Sequence, residues 1–243
     1  MSFADQSGFA VRFEWGLPGL RATSADAIVV IVDVLSFTTS VSVACRRGAV
    51  VFPCPWGDER ASELARRENA ELGARRGSEA EGLQRFSLSP ESLLAASPGL
   101  RLVLPSQNGS VLAHEAVLED RSVIAASIRN AASVAGWLSR QDSPIAVVAA
   151  GERWEDGTWR FSVEDLVGAG AVISRLHGRC SPEAESASAA FRHVQFDLLM
   201  TLRNCSSGRQ LVKRGFDADV ALAAQSNADD TVPIIVERAF RSA

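Results

Sequence analysis

Short β-branched runs alternate with longer amphipathic segments along most of the chain. The clearest run, residues 27–32, has six consecutive apolar side chains, which suits a strand that is covered on both faces of a sheet. A turn is predicted at residues 16–19, which contain Gly and Pro. Similar short runs predict further strands at residues 9–14, 49–53, 101–104, 121–126, 145–150 and 232–236.

Amphipathic segments fall between these runs. Helical spacing and capping residues predict helices at residues 36–47, from 58, after 109, at 130–140, from 162, at 182–204 and after 204. Strands that alternate with helices indicate an α/β fold, a three-layer α/β/α arrangement around a largely parallel or mixed sheet. We expect one domain over residues 1–243, and two α/β halves that divide near residues 120–150 are the alternative.

One carboxylate, Asp33, directly follows the apolar run at residues 27–32. Ligands of open α/β sheets bind at the carboxyl ends of the strands, so Asp33 is a candidate metal ligand or catalytic group. An aspartate that only begins a turn is the alternative, and spacing alone does not decide between them.

A second polar junction, at residues 105–110, contains Asn108, Gly109 and Ser110. An Asn-Gly pair tolerates positive φ, and the N–H groups at the start of the next helix would form an anion cradle. Such junctions are common in α/β proteins, so this one is a weak signal by itself.

Two more acids, Glu164 and Asp165, lie in the first turn of the helix predicted from residue 162. Ser162 and Asp165 have the spacing of a capping box, which would give both acids a purely local role. Alternatively, one acid caps the helix while the other, about 100° around the axis, faces the strand ends. Gly168 and Gly170 in the same helix predict close backbone packing, here against the sheet.

Composition and charge narrow the classes of function. The 243 residues are 47% hydrophobic and 22% charged, as in ordinary globular proteins, and the net charge of −4 gives no basic surface for nucleic acid or an anionic membrane. No apolar run approaches the roughly 18 residues that cross a bilayer, and the first residues do not resemble a signal peptide, so we expect a cytoplasmic protein. The four cysteines show no Cys-x-x-Cys spacing, and Cys205 is either an activated thiol at a helix start or an inert buried one.

Familiar nucleotide and hydrolase motifs are missing from the sequence. It has no P-loop, no Gly-x-Gly-x-x-Gly and no Gly-x-Ser-x-Gly. Residues 73–90 lack periodicity and carry Arg75, Arg76 and Arg85, and a loop of this length is more often functional than idle.

The polar junctions follow one another in a characteristic order. They are Asp33-Val-Leu-Ser-Phe-Thr-Thr39, Gln107-Asn-Gly-Ser110, Ser127-Ile-Arg-Asn-Ala131, Ala150-Gly151, the segment 161–170, Gly215 with Asp219, and Val232-Pro233. This order resembles the 2-phosphosulfolactate phosphatase family over about residues 27–236. The resemblance implies a magnesium-dependent phosphatase that converts 2-phosphosulfolactate to sulfolactate and phosphate on the route to coenzyme M. The resemblance does not decide whether the protein is a monomer or a homodimer.

The resemblance also suggests a site. Mg²⁺ prefers oxygen ligands, commonly one or two carboxylates with waters and the substrate phosphate. We therefore expect Asp33, Glu164 and Asp165 to serve as metal ligands and as general acid or base. The residues expected to bind the small anionic phosphorylated substrate are Ser36, Thr38, Thr39, Arg75, Asn108, Gly109, Ser110, Arg129 and Asn130.

The chain departs from the family pattern at identifiable positions. The family has an arginine close to its Thr-Thr pair, where this chain has Ser36 and Phe37, and a Gly-Asn-Ser-Pro segment is replaced by residues 87–90. Loss of a bidentate anion contact should change or weaken substrate preference. Two alternatives follow: a phosphatase for a different small 2-phospho acid, and a non-catalytic small-anion-binding protein of the same fold.

Overall fold

Strands and helices alternate through the computed structural model, which describes residues 5–55, 59–74, 76 and 85–243. The strands within these residues are β1 (Val11–Trp15), β2 (Ile28–Val32), β3 (Val50–Pro55), β4 (Glu71–Leu72), β5 (Arg101–Ser106), β6 (Val123–Ala126), β7 (Ile145–Ala149), β8 (Glu152–Arg153), β9 (Trp159–Arg160), β10 (Pro233–Val236) and β11 (Ala239–Ser242). Each of the predicted strands is present.

Helices connect most of these strands. Those within the described residues are α1 (Gly16–Ala22), α2 (Phe37–Arg46), α3 (Arg60–Arg67), α4 (Pro90–Leu93), α5 (Gly109–Leu118), α6 (Ala131–Leu138), α7 (Val163–Ile173), α8 (Pro182–Val194), α9 (Leu198–Asn204), α10 (Ser206–Lys213) and α11 (Asp217–Ala223). None of them combines the length and apolar character needed to cross a bilayer.

Nine of the described strands form one mixed sheet in the order β1-β7-β2-β6-β10-β11-β3-β5-β4. Neighbours among β1, β7, β2 and β6 are parallel, and so are β3, β5 and β4. The hairpin of β10 and β11 joins these two groups by antiparallel pairing with β6 and β3. The α/β fold with a largely parallel or mixed sheet is therefore confirmed.

Strand β2 lies inside the sheet and is buried on both faces. Val30 and Val32 pack in one core with residues of α6, α7 and α8, while Val29 and Ile31 pack in a second core with α2 and α5. Alternate side chains of a strand point to opposite faces, which explains the continuous apolar run. Burying each of these side chains stabilises the fold by about 1.5–3 kcal/mol, so the carboxyl end of β2 is a rigid support.

The two glycines of α7 pack against different partners. A Cβ on Gly168 would lie 2.4 Å from Cγ2 of Val34, just beyond β2, which confirms the predicted packing against the sheet. A Cβ on Gly170 would lie 2.0 Å from the carbonyl oxygen of Ala187 in α8, so the prediction for Gly170 is wrong. At position 170 it is the close contact of α7 with α8, and not with the sheet, that leaves no room for a side chain.

Some elements differ from the sequence prediction. Residues 16–22 form α1 where a turn was predicted, and the helix predicted over 182–204 is divided into α8 and α9. The short pieces β4, β11 and α11 were not predicted, because their few residues carry too little periodicity. Asp58, the predicted start of the helix that follows β3, lies outside the described residues; this helix, α3, begins at Arg60.

Candidate active site

Asp33 lies at the end of β2 and lines a cavity of about 730 Å³. Its Oδ1 accepts a hydrogen bond from the N–H of Phe37 at 3.1 Å, and its Oδ2 accepts one from the N–H of Gly109 at 2.9 Å. These amides belong to the first residues of α2 and α5, and helix N-termini favour negative charge. The carboxylate is therefore fixed between two helix starts while it still reaches the cavity.

The surroundings of Asp33 favour its protonated form. Burial raises the pKa of Asp33 to about 6, the nearby charges of Glu152 and Glu164 act in the same direction, and the two backbone N–H donors oppose them. A carboxyl group with a pKa near 6 exchanges its proton close to neutral pH. That property suits a general acid or base.

The loop after Asp33 is closed by two threonine side chains. The hydroxyl of Thr38 accepts from the N–H of Asp33 at 2.9 Å and donates to its carbonyl oxygen at 2.8 Å. The hydroxyl of Thr39 donates to the carbonyl oxygen of Val34 at 2.8 Å, and both threonines are fully buried. The structure gives Thr38 and Thr39 a role in holding the loop and does not bring them to the cavity.

Ser36 does line the cavity. It follows a cis peptide bond from Leu35, and its hydroxyl accepts a hydrogen bond from Nη2 of Arg76 at 2.5 Å. The sequence lacks the arginine expected at this point of the family pattern. The structure instead brings a guanidinium to Ser36 from a distant segment.

Gly109 is required for space and not for backbone conformation. Neither Asn108 nor Gly109 has a positive φ. A Cβ on Gly109 would lie 2.6 Å from Cδ1 of Phe37 and 2.7 Å from Oδ2 of Asp33. The N–H of Gly109 already binds Asp33, so the predicted anion cradle holds the protein's own carboxylate.

The neighbours of Gly109 have different positions. Asn108 lines the cavity, and its Nδ2 donates to Oε1 of Glu152 at 3.0 Å. The buried hydroxyl of Ser110 donates to the carbonyl oxygens of Cys54 and Ser106. Of the predicted binding residues at this junction, only the Asn108 side chain faces the cavity.

Asp165 is a buried link between two loops. Its Oδ1 accepts from the N–H of Val34 at 2.7 Å, and its Oδ2 accepts from the N–H of Gly151 at 2.9 Å. Burial, followed by the charges of Asp33 and Glu164, raises the pKa of Asp165 well above its ordinary value. The capping box is not formed, since the hydroxyl of Ser162 makes no hydrogen bond with the described residues.

Glu164 lies next to Cys205. Its side chain is buried, and its Oε2 has no hydrogen-bond partner among the described residues. Burial raises the pKa of Cys205 to about 12, with a further contribution from the charge of Glu164. The raised pKa favours the protonated thiol, as the inert alternative for Cys205 expects, but the residue is half-buried and not fully buried.

The structure does not bring Arg129 and Asn130 to the cavity. The guanidinium of Arg129 donates to the carbonyl oxygen of Leu222 at 2.9 Å and to Oε1 of Gln225 at 2.6 Å. The fully buried amide of Asn130 accepts from the N–H of Ser127 and donates to backbone carbonyl oxygens. Both side chains are used to pack neighbouring segments, which corrects their predicted role. Arg75 lies outside the described residues.

Several cavity residues were not predicted. They come from the hairpin β8–β9, from α10 and the residue after it, and from residues 76 and 88; the charged ones are Arg76, Glu152, Arg153, Glu155, Arg160 and Arg214. Glu152 had a readable signal, because it lies two residues after the buried run 145–150, as Asp33 lies after its own run. Arg76 had only the general signal of a long arginine-containing loop, and Arg153, Arg160 and Arg214 had none, because only the folded chain brings their segments to the cavity.

The predicted magnesium ligands differ in their access to the cavity. Asp165 does not line the cavity, and no three His, Cys, Asp or Glu side chains of the described residues form a metal cluster. Mg²⁺, however, needs only one or two carboxylates beside waters and a phosphate. Asp33 and Glu152 fit that requirement, because both line the cavity and their charges interact. The unpartnered Oε2 of Glu164 is a further buried oxygen donor.

Comparison with known proteins places the chain in a family. The family model described as 2-phosphosulpholactate phosphatase matches residues 18–238. A Carboxydothermus hydrogenoformans protein named probable 2-phosphosulfolactate phosphatase is 30% identical over 226 residues, which cover 89% of each chain. Proteins with the same name from Gloeobacter violaceus and Thermosynechococcus vestitus are 30% and 29% identical, covering 89% and 83% of this chain and 91% and 86% of their own. The chain belongs to the 2-phosphosulpholactate phosphatase family.

Proposed function

We propose that the protein is a magnesium-dependent phosphatase that hydrolyses 2-phosphosulfolactate, or a related small 2-phospho acid, to the hydroxy acid and phosphate. The observation that carries the proposal is Asp33, a carboxylate fixed by two backbone N–H groups in a cavity that arginines also line. The names of the relatives supply the substrate class.

Charge neutralisation is the main requirement of this reaction. Phosphate-monoester hydrolysis is extremely slow without a catalyst, and positioning and electrostatic stabilisation provide most of the acceleration. The basic side chains of Arg153 and Arg160 line the cavity that would receive the phosphoryl group. When bound, Mg²⁺ supplies additional positive charge to phosphoryl oxygens, and Asp33 with Glu152 would hold it.

Two contacts orient Glu152 for this role. Its Oε1 accepts from Nδ2 of Asn108 at 3.0 Å and from the N–H of Arg153 at 2.9 Å. Asp33 is oriented by the N–H groups of Phe37 and Gly109. Both carboxylates are thus fixed before a ligand arrives, which reduces the free energy spent on ordering the site.

Phosphate release from 2-phosphosulfolactate tests the proposal. We expect release by the wild type with Mg²⁺ and none after EDTA treatment. Asp33→Asn should lower kcat by at least about 100-fold, which is the lower end of the range for loss of a general acid or base. Asp142→Asn is the matched control, because Asp142 is exposed and lies outside the cavity. Unchanged turnover in Asp33→Asn would refute the assignment of Asp33.

The remaining alternative has a separate readout. If the wild type releases no phosphate from a panel of 2-phospho acids, titration calorimetry with inorganic phosphate and sulfolactate would identify a small-anion-binding protein. The variant Glu152→Gln can be compared with the wild type in both the phosphate-release assay and the binding titration, since it removes one carboxylate from the cavity and leaves the buried segment around Asp33 intact.

A further inference from the structure

Arg76 is held on several sides where it lines the cavity. Its Nε lies 3.0 Å from Oδ2 of the fully buried Asp219, and its Nη2 donates to the hydroxyl of Ser36 at 2.5 Å and to the carbonyl oxygen of Leu88 at 3.1 Å. The guanidinium also lies 5.4 Å from the ring centre of Phe216. Only 10% of its side chain is exposed, so its orientation is fixed.

The partner of Arg76 is itself anchored. Oδ1 of Asp219 accepts from the hydroxyl of Ser89 at 2.5 Å and from the N–H of Glu91 at 3.2 Å. The ion pair therefore connects Arg76 to α11 and to the start of α4. A guanidinium fixed in this way can bind an anion with little further loss of conformational entropy.

A second guanidinium lies on the same ring. Arg214, after α10, is 5.6 Å from the ring centre of Phe216 and also lines the cavity. Asp219 balances one of the two positive charges around this ring, so the pair of arginines keeps a net positive charge that attracts an anionic ligand. Ser36, which Arg76 contacts, is only three residues after Asp33 in the same loop. The two arginines therefore line the part of the cavity that is next to Asp33.

We propose that Arg76, together with Arg214 and Ser36, binds a second anionic group of the substrate, a carboxylate or a sulfonate beside the phosphoryl group. Arg76 is then a specificity-determining residue that selects 2-phospho acids over simple phosphate monoesters. This inference rests on the proposed function for its reaction, but its binding part can be tested without turnover.

Three substrates separate the anionic groups. They are 2-phosphosulfolactate, with a sulfonate and a carboxylate, 2-phospholactate, with a carboxylate only, and glycerol 2-phosphate, with neither. Arg76→Gln should lower kcat/KM for the first by about 10- to 100-fold, mainly through KM, as expected for a lost charged hydrogen bond. The loss for glycerol 2-phosphate should be several times smaller. Arg76→Lys should fall between the wild type and Arg76→Gln, because lysine keeps the charge and loses the planar fork.

The pattern of losses decides the outcome. A loss on 2-phosphosulfolactate alone assigns the sulfonate to Arg76, and an equal loss on 2-phospholactate assigns the carboxylate. Equal losses on all three substrates, or no loss, would overturn the inference, since a merely structural ion pair does not discriminate among them. Arg140→Gln is the matched control, because Arg140 is exposed and lies outside the cavity.

A binding measurement separates this inference from the proposed function. Sulfolactate titrated into the wild type should bind, and Arg76→Gln should weaken its affinity at least 10-fold. If no substrate is hydrolysed while this difference persists, the phosphatase proposal fails and the anion site stands. Equal affinity in both proteins, or no binding by the wild type, refutes the anion site. Should Arg76→Gln fail to fold, Arg214→Gln provides the same comparison with a side chain that forms no part of the buried ion pair.

Discussion

The carboxylates of Asp33 and Asp165 make the same pattern of hydrogen bonds and yet differ in their access to the cavity. Each carboxylate accepts one backbone N–H on each of its two oxygens, and each has a raised pKa because of burial. Asp33 lines the cavity, while Asp165 is enclosed between the loops at Val34 and Gly151. The hydrogen-bond pattern therefore does not distinguish a reactive carboxylate from a structural one; access to the cavity does.

The largest effect should follow from removal of the enclosed carboxylate. Asp165→Ala leaves the buried N–H groups of Val34 and Gly151 without acceptors, at about 1–3 kcal/mol each, so we expect about 4 kcal/mol less stability. Thermal or urea unfolding would measure the change, with Asp142→Ala as an exposed control. If Asp165→Ala unfolds like the wild type, the contrast between the enclosed and the accessible carboxylate is not real.

The second prediction concerns the pH dependence of Asp33. Its ordinary pKa of 3.8 is raised to about 6 in the folded protein, so the folded state holds the proton more tightly than the unfolded state. Between about pH 4 and pH 6 the contribution of Asp33 to the free energy of unfolding therefore decreases as the pH rises, by at most about 1.4 kcal/mol for each pH unit. Asp33→Asn cannot titrate, so the stability of the wild type relative to this variant should decrease over that window. Unfolding measured in EDTA at several pH values would show it, and a constant difference would contradict a raised pKa.

A smaller effect is expected at the amide that holds Asp33. Gly109→Ala places a methyl group 2.7 Å from Oδ2 of Asp33 and 2.6 Å from Phe37, and such overpacking costs about 1–3 kcal/mol. Phosphate release should fall as well, because Asp33 must move. Gly136→Ala is the matched control: apart from its chain neighbours and the backbone of its own helix, no atom of the described residues lies within 4 Å of a Cβ there, and alanine should stabilise α6 by up to about 1 kcal/mol. Equal stability of the two variants would show that Gly109 is not a tight contact.

The sequence predicted the parts of this comparison that depend on local pattern. Apolar runs located the strands, and a carboxylate directly after a run identified Asp33. The order of the strands was not predictable, because the hairpin of β10 and β11 enters the middle of the sheet from the end of the chain.

Roles that depend on distant partners were also beyond local pattern. Asp165 binds the N–H of Val34, which is 131 positions away, whereas the local sequence suggested a cap. Likewise, Arg76 reaches Ser36 from 40 positions away, and nothing in its own segment indicates that contact.

The smallest expected change in stability concerns Ser162, which precedes the enclosed carboxylate Asp165 by three residues. Ser162 has the sequence of a helix cap, but its hydroxyl makes no hydrogen bond with the described residues and is buried. A functioning cap would lose about 1 kcal/mol on replacement by alanine. Ser162→Ala should instead change stability by less than about 0.5 kcal/mol or raise it slightly, because an unpaired buried hydroxyl is unfavourable. Ser181→Ala is the comparison variant, since the Ser181 hydroxyl accepts from the N–H of Ala184 at 3.1 Å and caps α8. Equal destabilisation by both changes would mean that Ser162 caps α7 in solution and that Asp165 shares a local role with it.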